Sequence, residues 1–235
     1  MEFIINRQAQ PSFGQVGNQK IPVLIMDQFM ENLEQSLLSE RGDLAFDAFD
    51  TYYPGIRAEL PESYVASVAV AMMPLIRQMY SIPSHLKMEF YPSYYSLVTK
   101  QPDELSILQS VPHIDGTQRH RYALIHYLNP APHGGTAFYR HKPTGFERVT
   151  AEQEDQFWNS FDAYHEQHGE PESGYIDSSN EHFEKIGEVP YEQNRLVLYP
   201  GNLLHSGSII TDKDIDASPL TGRLTANIFL NFVEP

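Results

Sequence analysis

The sequence predicts a mainly β protein, a sandwich or barrel with helical support at its N-terminal end. Three observations carry that prediction. Short apolar or alternating runs recur from about residue 85 to the end, at the two-residue period of half-buried strands. Turn signals separate them, in keeping with 17 prolines and 14 glycines in 235 residues. Strands and helices do not alternate regularly, so a parallel α/β sheet is not expected.

In chain order, residues 1–20 are polar after a short apolar start and read as surface wrapping. Pro22-Val23-Leu24-Ile25-Met26 reads as a buried strand. Asp27 then caps an expected helix through Leu38, with Glu31 and Glu34 in its early turns. Tyr52-Tyr53-Pro54-Gly55 is a turn. A second helix is expected from Pro61 to about Tyr80, with Tyr64, Val65, Val68, Met72, Leu75 and Ile76 at helical spacing. Pro74 should bend or shorten it.

Further strands are expected at 86–91, 94–99, 122–128 and 134–139. Thr150 and Gln153 form a capping box that opens a helix to about His168, followed by a Gly/Ser/Asn-rich loop. Strands return at 195–199, 203–205 and 223–232. The expected organisation is a single domain: α-rich support over 1–85 and a β core over 86–235, interrupted by an insertion at about 150–190.

Composition excludes several classes. With 31 acidic and 16 basic residues the formal charge is −15, which repels phosphate backbones and makes nucleic acid an unsuitable partner. The absence of cysteine removes disulfides, iron–sulfur clusters and thiolate zinc sites, and suits a reducing compartment. The longest uncharged apolar stretch, Tyr64 to Ile76, contains Pro74 and is too short to span a bilayer. The N-terminal residues lack a basic region followed by an apolar core. A soluble cytoplasmic protein is the expectation.

Chemistry concentrates at Val111-Pro112-His113-Ile114-Asp115-Gly116. His113 and Asp115 are two apart, so on a strand both side chains leave one face. With a third ligand from a distant strand, His205, they can form a 2-His-1-carboxylate triad that leaves positions on Fe(II) open. Arg223 heads the apolar run Leu224–Leu230, where a guanidinium can pair bidentately with a carboxylate.

Four segments in order resemble the 2-oxoglutarate and Fe(II)-dependent dioxygenases, most nearly their prolyl-hydroxylase-like branch. Pro112-His113-Ile114-Asp115 is similar to that family's first metal motif, and His133-Gly134-Gly135-Thr136-Ala137-Phe138 to its glycine-rich strand. Tyr199-Pro200-Gly201-Asn202-Leu203-Leu204-His205 resembles the segment carrying the distal histidine. Gly222-Arg223-Leu224-Thr225 resembles the start of the closing strand. The resemblance covers roughly residues 86–235. Two departures stand out: Arg223 lies 18 residues beyond His205, further than is usual, and the customary Arg-x-Ser is Arg223-Leu224-Thr225.

The resemblance implies a double-stranded β-helix (jelly-roll or cupin-like) core, with Fe(II) held by His113, Asp115 and His205. It also implies 2-oxoglutarate held by Arg223, with Thr225 as a second donor, and hydroxylation of a C–H bond, since related halogenating enzymes lack the carboxylate ligand. No catalytic residue is expected beyond the metal ligands. The substrate would be a small molecule, amino acid or peptide side chain, with the acidic surface favouring a cationic or neutral one. Two other readings stay open: a cupin-type metal enzyme without 2-oxoglutarate, and a non-catalytic β-barrel binding module. Tyr91, Tyr95, Tyr122 and Tyr127 are candidates to lend a phenol to the co-substrate, though strand tyrosines are more often core. His120, His126, His133 and His141 are candidates to support the metal ligands, and His165 and His168 read as solvated.

Overall fold

A computed structural model describes residues 3–39, 41–48, 52–170 and 173–235. Its strands are β1 (Pro11–Val16), β2 (Ile21–Met26), β3 (Gly55–Glu59), β4 (Lys87–Phe90), β5 (Tyr94–Val98) and β6 (Arg121–Tyr127). They continue with β7 (Thr136–His141), β8 (Phe183–Val189), β9 (Leu196–Pro200), β10 (His205–Gly207) and β11 (Thr225–Val233). The helices are α1 (Glu62–Tyr80), α2 (Glu154–His168) and the single turn α3 (Thr211–Asp214). The protein is mainly β, and every strand pairing is antiparallel.

The larger sheet runs β1-β2-β9-β6-β11-β5-β3, with β4 beside the far end of β11. The smaller runs β10-β7-β8. Apolar runs in the central strands follow from burial on both faces. Along β9, Leu196 and Leu198 join the core beneath α1, while Val197 and Tyr199 join a second core toward the smaller sheet. Helix α1 closes the outer face with Tyr64, Val68, Met72 and Ile76, all inaccessible to solvent. Burial of each is worth about 1.5–3 kcal/mol. Behind the smaller sheet, Phe157 and Phe161 of α2 pack with Tyr139, Phe183 and Leu204.

The expected strands form with ends shifted by one or two residues, and the Thr150–Gln153 capping box opens a short 3-10 turn that leads into α2. Pro61 caps α1, which runs through Pro74 to Tyr80 without shortening. The helix expected after Asp27 does not form. Asp27 pairs with Arg195 instead of capping, Gln28 is left-handed (φ 51°), and the amide of Asn194 bonds both backbone groups of Met30. Phe29, Met30, Leu33, Leu37 and Leu38 reach the core from turns, so tertiary anchors override the local helical pattern.

The N-terminal third therefore supplies three strands of the larger sheet as well as a helix, where α-rich support was expected. The sequence pattern misses β1, β3 and β8. Each lies at a sheet edge with mixed exposure, where alternation is weak. Residues 171 and 172 of the expected Gly/Ser/Asn-rich loop lie outside the described residues.

Candidate metal centre

His113 and His205 face each other across an isolated antiparallel bridge, each donating its backbone N–H to the other's carbonyl at 2.9 Å. Two residues on, the N–H of Asp115 donates to the carbonyl of Gly201 at 2.7 Å. These backbone bonds fix where the three side chains start. Their ligand atoms lie within 4.8 Å of one another, the one such group among the described residues. His205 donates from Nδ1 to the carbonyl of Leu203 at 2.8 Å, which leaves the lone pair on Nε2, 3.7 Å from Asp115 Oδ2.

Burial sets the electrostatics. His113 still meets solvent through the cavity, yet protein surrounds it closely enough to disfavour its charged form. Burial first, then His205, push its pKa down to about 3. Burial lowers His205 to about 4. Both imidazoles are therefore neutral near pH 7, as metal ligands must be. Burial raises the Asp115 carboxyl, opposed by His113, Arg121 and Arg57. Asp115 Oδ2 is buried without a hydrogen-bond partner among the described residues. An orphaned carboxylate oxygen beside two imidazole lone pairs is a donor set that fits a divalent first-row metal.

The three residues open onto a cavity of about 420 Å³ lined by residues of both sheets, of α2 and of loops, within the range of small-molecule sites. Arg223 lines the same cavity and is only 5% exposed. Its Nε donates to the carbonyl of Gly134 at 2.6 Å and its Nη2 to that of Gly135 at 2.8 Å. Nη1 donates to no described residue, so the Nη1–Nη2 edge retains free donor capacity. Thr225 and Thr136 also line the cavity. Thr225 Oγ1 accepts from Asn227 at 3.2 Å, and Thr136 Oγ1 shares a 2.8 Å hydrogen bond with the Tyr127 hydroxyl. The structure brings together all five expected site residues.

The glycines before Thr136 are required by this packing. A Cβ on Gly134 would collide with the carbonyl of Ser208, and one on Gly135 with that of Val189.

The candidate tyrosines fall elsewhere. Tyr91 stacks under Arg121, Tyr95 and Tyr122 are core, and Tyr127 reaches only Thr136, with Arg223 5.8 Å from its ring centroid. The tyrosines that line the cavity are Tyr52, Tyr53, Tyr175 and Tyr199. The candidate supporting histidines are also committed to other partners. His126 bonds Tyr64 and Asn194, His133 pairs with Asp214, and His141 meets His182 at 2.7 Å. His120 stands apart, in a cleft with Arg119 and Arg148. His165, expected to be solvated, instead packs its ring 4.1 Å from that of Phe161 with a buried Nε2, whereas His168 is exposed. Sequence reasoning also passed over Arg57, which lines the cavity from β3.

This fold is that of a class with solved examples. The structure of HygX from Streptomyces hygroscopicus with nickel and 2-oxoglutarate bound aligns over 90% of this chain and 84% of its own, with TM-score 0.55 at 15% identity. A second HygX structure, with nickel, 2-oxoglutarate and hygromycin B, covers the same shares with TM-score 0.51 at 14% identity. The chain belongs to the family of unknown function DUF6445, whose profile matches residues 7–230. No curated protein matches it in sequence. No helix among the described residues is long and apolar enough to cross a membrane.

Proposed function

We propose that this chain is a non-haem Fe(II), 2-oxoglutarate-dependent oxygenase that hydroxylates a small molecule, amino acid or peptide side chain. On this reading the strands within residues 86–235 form a double-stranded β-helix core, nearest the prolyl-hydroxylase-like branch, and residues 1–85 extend its larger sheet and brace it within one domain. The zero cysteine count suits a cytoplasmic location. His113, Asp115 and His205 hold the metal, and Arg223, seconded by Thr225, holds the far carboxylate of 2-oxoglutarate.

The observation that carries the reading is one cavity bounded by an N,N,O ligand face and by a buried arginine without a carboxylate partner among the described residues. Iron held by these residues would supply oxidising power toward a C–H bond, with dioxygen as the oxidant and 2-oxoglutarate consumed to succinate and CO2. The chain's own residues supply placement. The Leu203 carbonyl holds His205 in the tautomer whose Nε2 can ligate. Asp115 contributes the anionic ligand, and its presence favours hydroxylation. The carbonyls of Gly134 and Gly135 orient Arg223, and Tyr199, Ile125 and Phe229 keep the floor of the cavity apolar.

The test is succinate release from 2-oxoglutarate by Fe(II)-loaded protein. Turnover, with or without a coupled substrate, is expected in the parent and absent from Asp115→Ala. Metal affinity in that variant should fall at least about 100-fold by equilibrium dialysis, beyond what outer supporting groups contribute. Protein that binds metal through the triad but never releases succinate would instead be a metal enzyme of other chemistry.

A further inference from the structure

Arg57 is the second arginine of the cavity and is arranged unlike the first. It sits in β3 opposite Ser96 of β5, and its guanidinium carbon lies 4.4 Å from the ring centroid of Tyr53 and 5.3 Å from that of Tyr94. Contact with aromatic faces steadies a cation but satisfies none of its N–H donors. No hydrogen bond or ion pair joins the Arg57 side chain to any described residue, and its Nε is buried without a partner. Burial lowers its pKa, with Tyr53, Tyr94 and Asp115 opposing. Arginine nevertheless stays protonated in proteins, so a largely desolvated positive charge remains with its acceptors missing.

The charges around the cavity point the same way. Among its described lining residues, the formal charges are Arg57 and Arg223, both positive, and Asp115, negative. On the oxygenase reading above, a divalent metal and the 2-oxoglutarate dianion cancel each other. One positive charge then remains in a low-dielectric pocket, and an uncompensated buried charge is costly. We infer that Arg57 receives the carboxylate of the primary substrate, and that this substrate is a hydrophobic carboxylic acid. The apolar body has its own wall: Phe157, Trp158 and Phe161 of α2 line the cavity, with Trp158 edge-on to both phenylalanine rings. Planar bidentate pairing with a carboxylate supplies the acceptors that Arg57 lacks. The inference deepens the oxygenase reading, since the charge count rests on it.

Trp158 is the one tryptophan of the chain and faces this cavity, so its fluorescence reports on occupancy. The full chain, loaded with Ni(II) and 2-oxoglutarate, is titrated with phenylacetate and phenylbutyrate and with the primary amide of each. At least one acid should outbind its amide on the order of 10- to 100-fold, the range of a charge-assisted pair. Arg57→Gln should abolish that preference while leaving the affinity for 2-oxoglutarate, read by calorimetry, and the circular dichroism unchanged. Arg57→Lys should retain part of it. Equal binding of every acid and amide in the parent would overturn the inference. So would an Arg57→Gln variant that loses 2-oxoglutarate while keeping its preference for the acid, since Arg57 would then serve the co-substrate. If 2-oxoglutarate fails to bind the parent while an acid still outbinds its amide through Arg57, the oxygenase reading falls and the carboxylate site stands.

Discussion

At the scale of single residues, Arg223 shows how backbone groups aim a side chain. Two carbonyls occupy Nε and Nη2, so the guanidinium cannot swing away from the cavity without abandoning buried acceptors. Arg223→Gln should therefore weaken 2-oxoglutarate binding to the Ni(II)-loaded protein about 10- to 100-fold by calorimetry, the loss of one charge-assisted pair. Arg223→Lys should recover less than half of that in free energy, because a point charge cannot replace the fork. The candidate metal ligands were legible because a two-residue spacing puts His113 and Asp115 on one face of an extended chain and because four motifs fall in order. Arg57 was not. Gly-Ile-Arg-Ala-Glu carries no motif, and its meaning arises only when β3 pairs with β5 and turns the side chain toward the metal face. The cavity tyrosines were missed for a related reason. Tyr52 and Tyr53 read as turn residues, and nothing local shows which loop will roof a pocket.

At the scale of elements, the structure is most legible where pattern and packing agree. Helix α1 has its apolar stripe at the expected spacing and buries it against the larger sheet. Its Tyr64 also donates to or accepts from His126 Nδ1 at 2.9 Å, while His126 Nε2 meets Asn194 at 3.0 Å. Tyr64→Phe keeps the ring and strands one buried imidazole nitrogen, so unfolding in urea should show a loss of about 1–3 kcal/mol at unchanged slope. The segment after Asp27 was misread because its apolar residues have helical spacing but are pinned by Asn194, which lies 164 residues away in sequence from Met30. No local window contains that information.

At the scale of the whole molecule, charge divides between surface and interior. The whole chain carries a formal net charge of −15, which on its own favours a cationic or neutral ligand, whereas the described cavity lining carries two guanidinium groups against one carboxylate. Overall charge thus misleads about a pocket that the field of its own walls dominates. Buried histidines set the pH response. Burial lowers His126 and His141 to about 4, and burial together with neighbouring histidines lowers His182 to about 3. A base whose folded pKa lies below its unfolded value of about 6.5 binds fewer protons folded than unfolded. Its contribution is complete above pH 6.5 and is lost as pH falls toward 4. His126 alone accounts for a loss on the order of 3 kcal/mol. Metal-free protein should therefore melt at progressively lower temperature across that window, with little change between pH 7 and 8, by calorimetry. Asp214 and Glu147, whose carboxyls are held low by hydrogen bonds and paired cations, act at more acid pH.

On the proposed oxygenase reading, the reciprocal backbone hydrogen bonds between His113 and His205 bear on which ion the protein takes up. That isolated bridge holds two of the three proposed ligands side by side through backbone pairing alone, so no ion is needed to gather them. A face already assembled has little room to reshape itself around one ion and refuse another. Nickel, copper and zinc stand above iron(II) in intrinsic affinity for such donors. The ion found in the purified protein should then mirror the supply during expression, and zinc should be a tight competitor against iron.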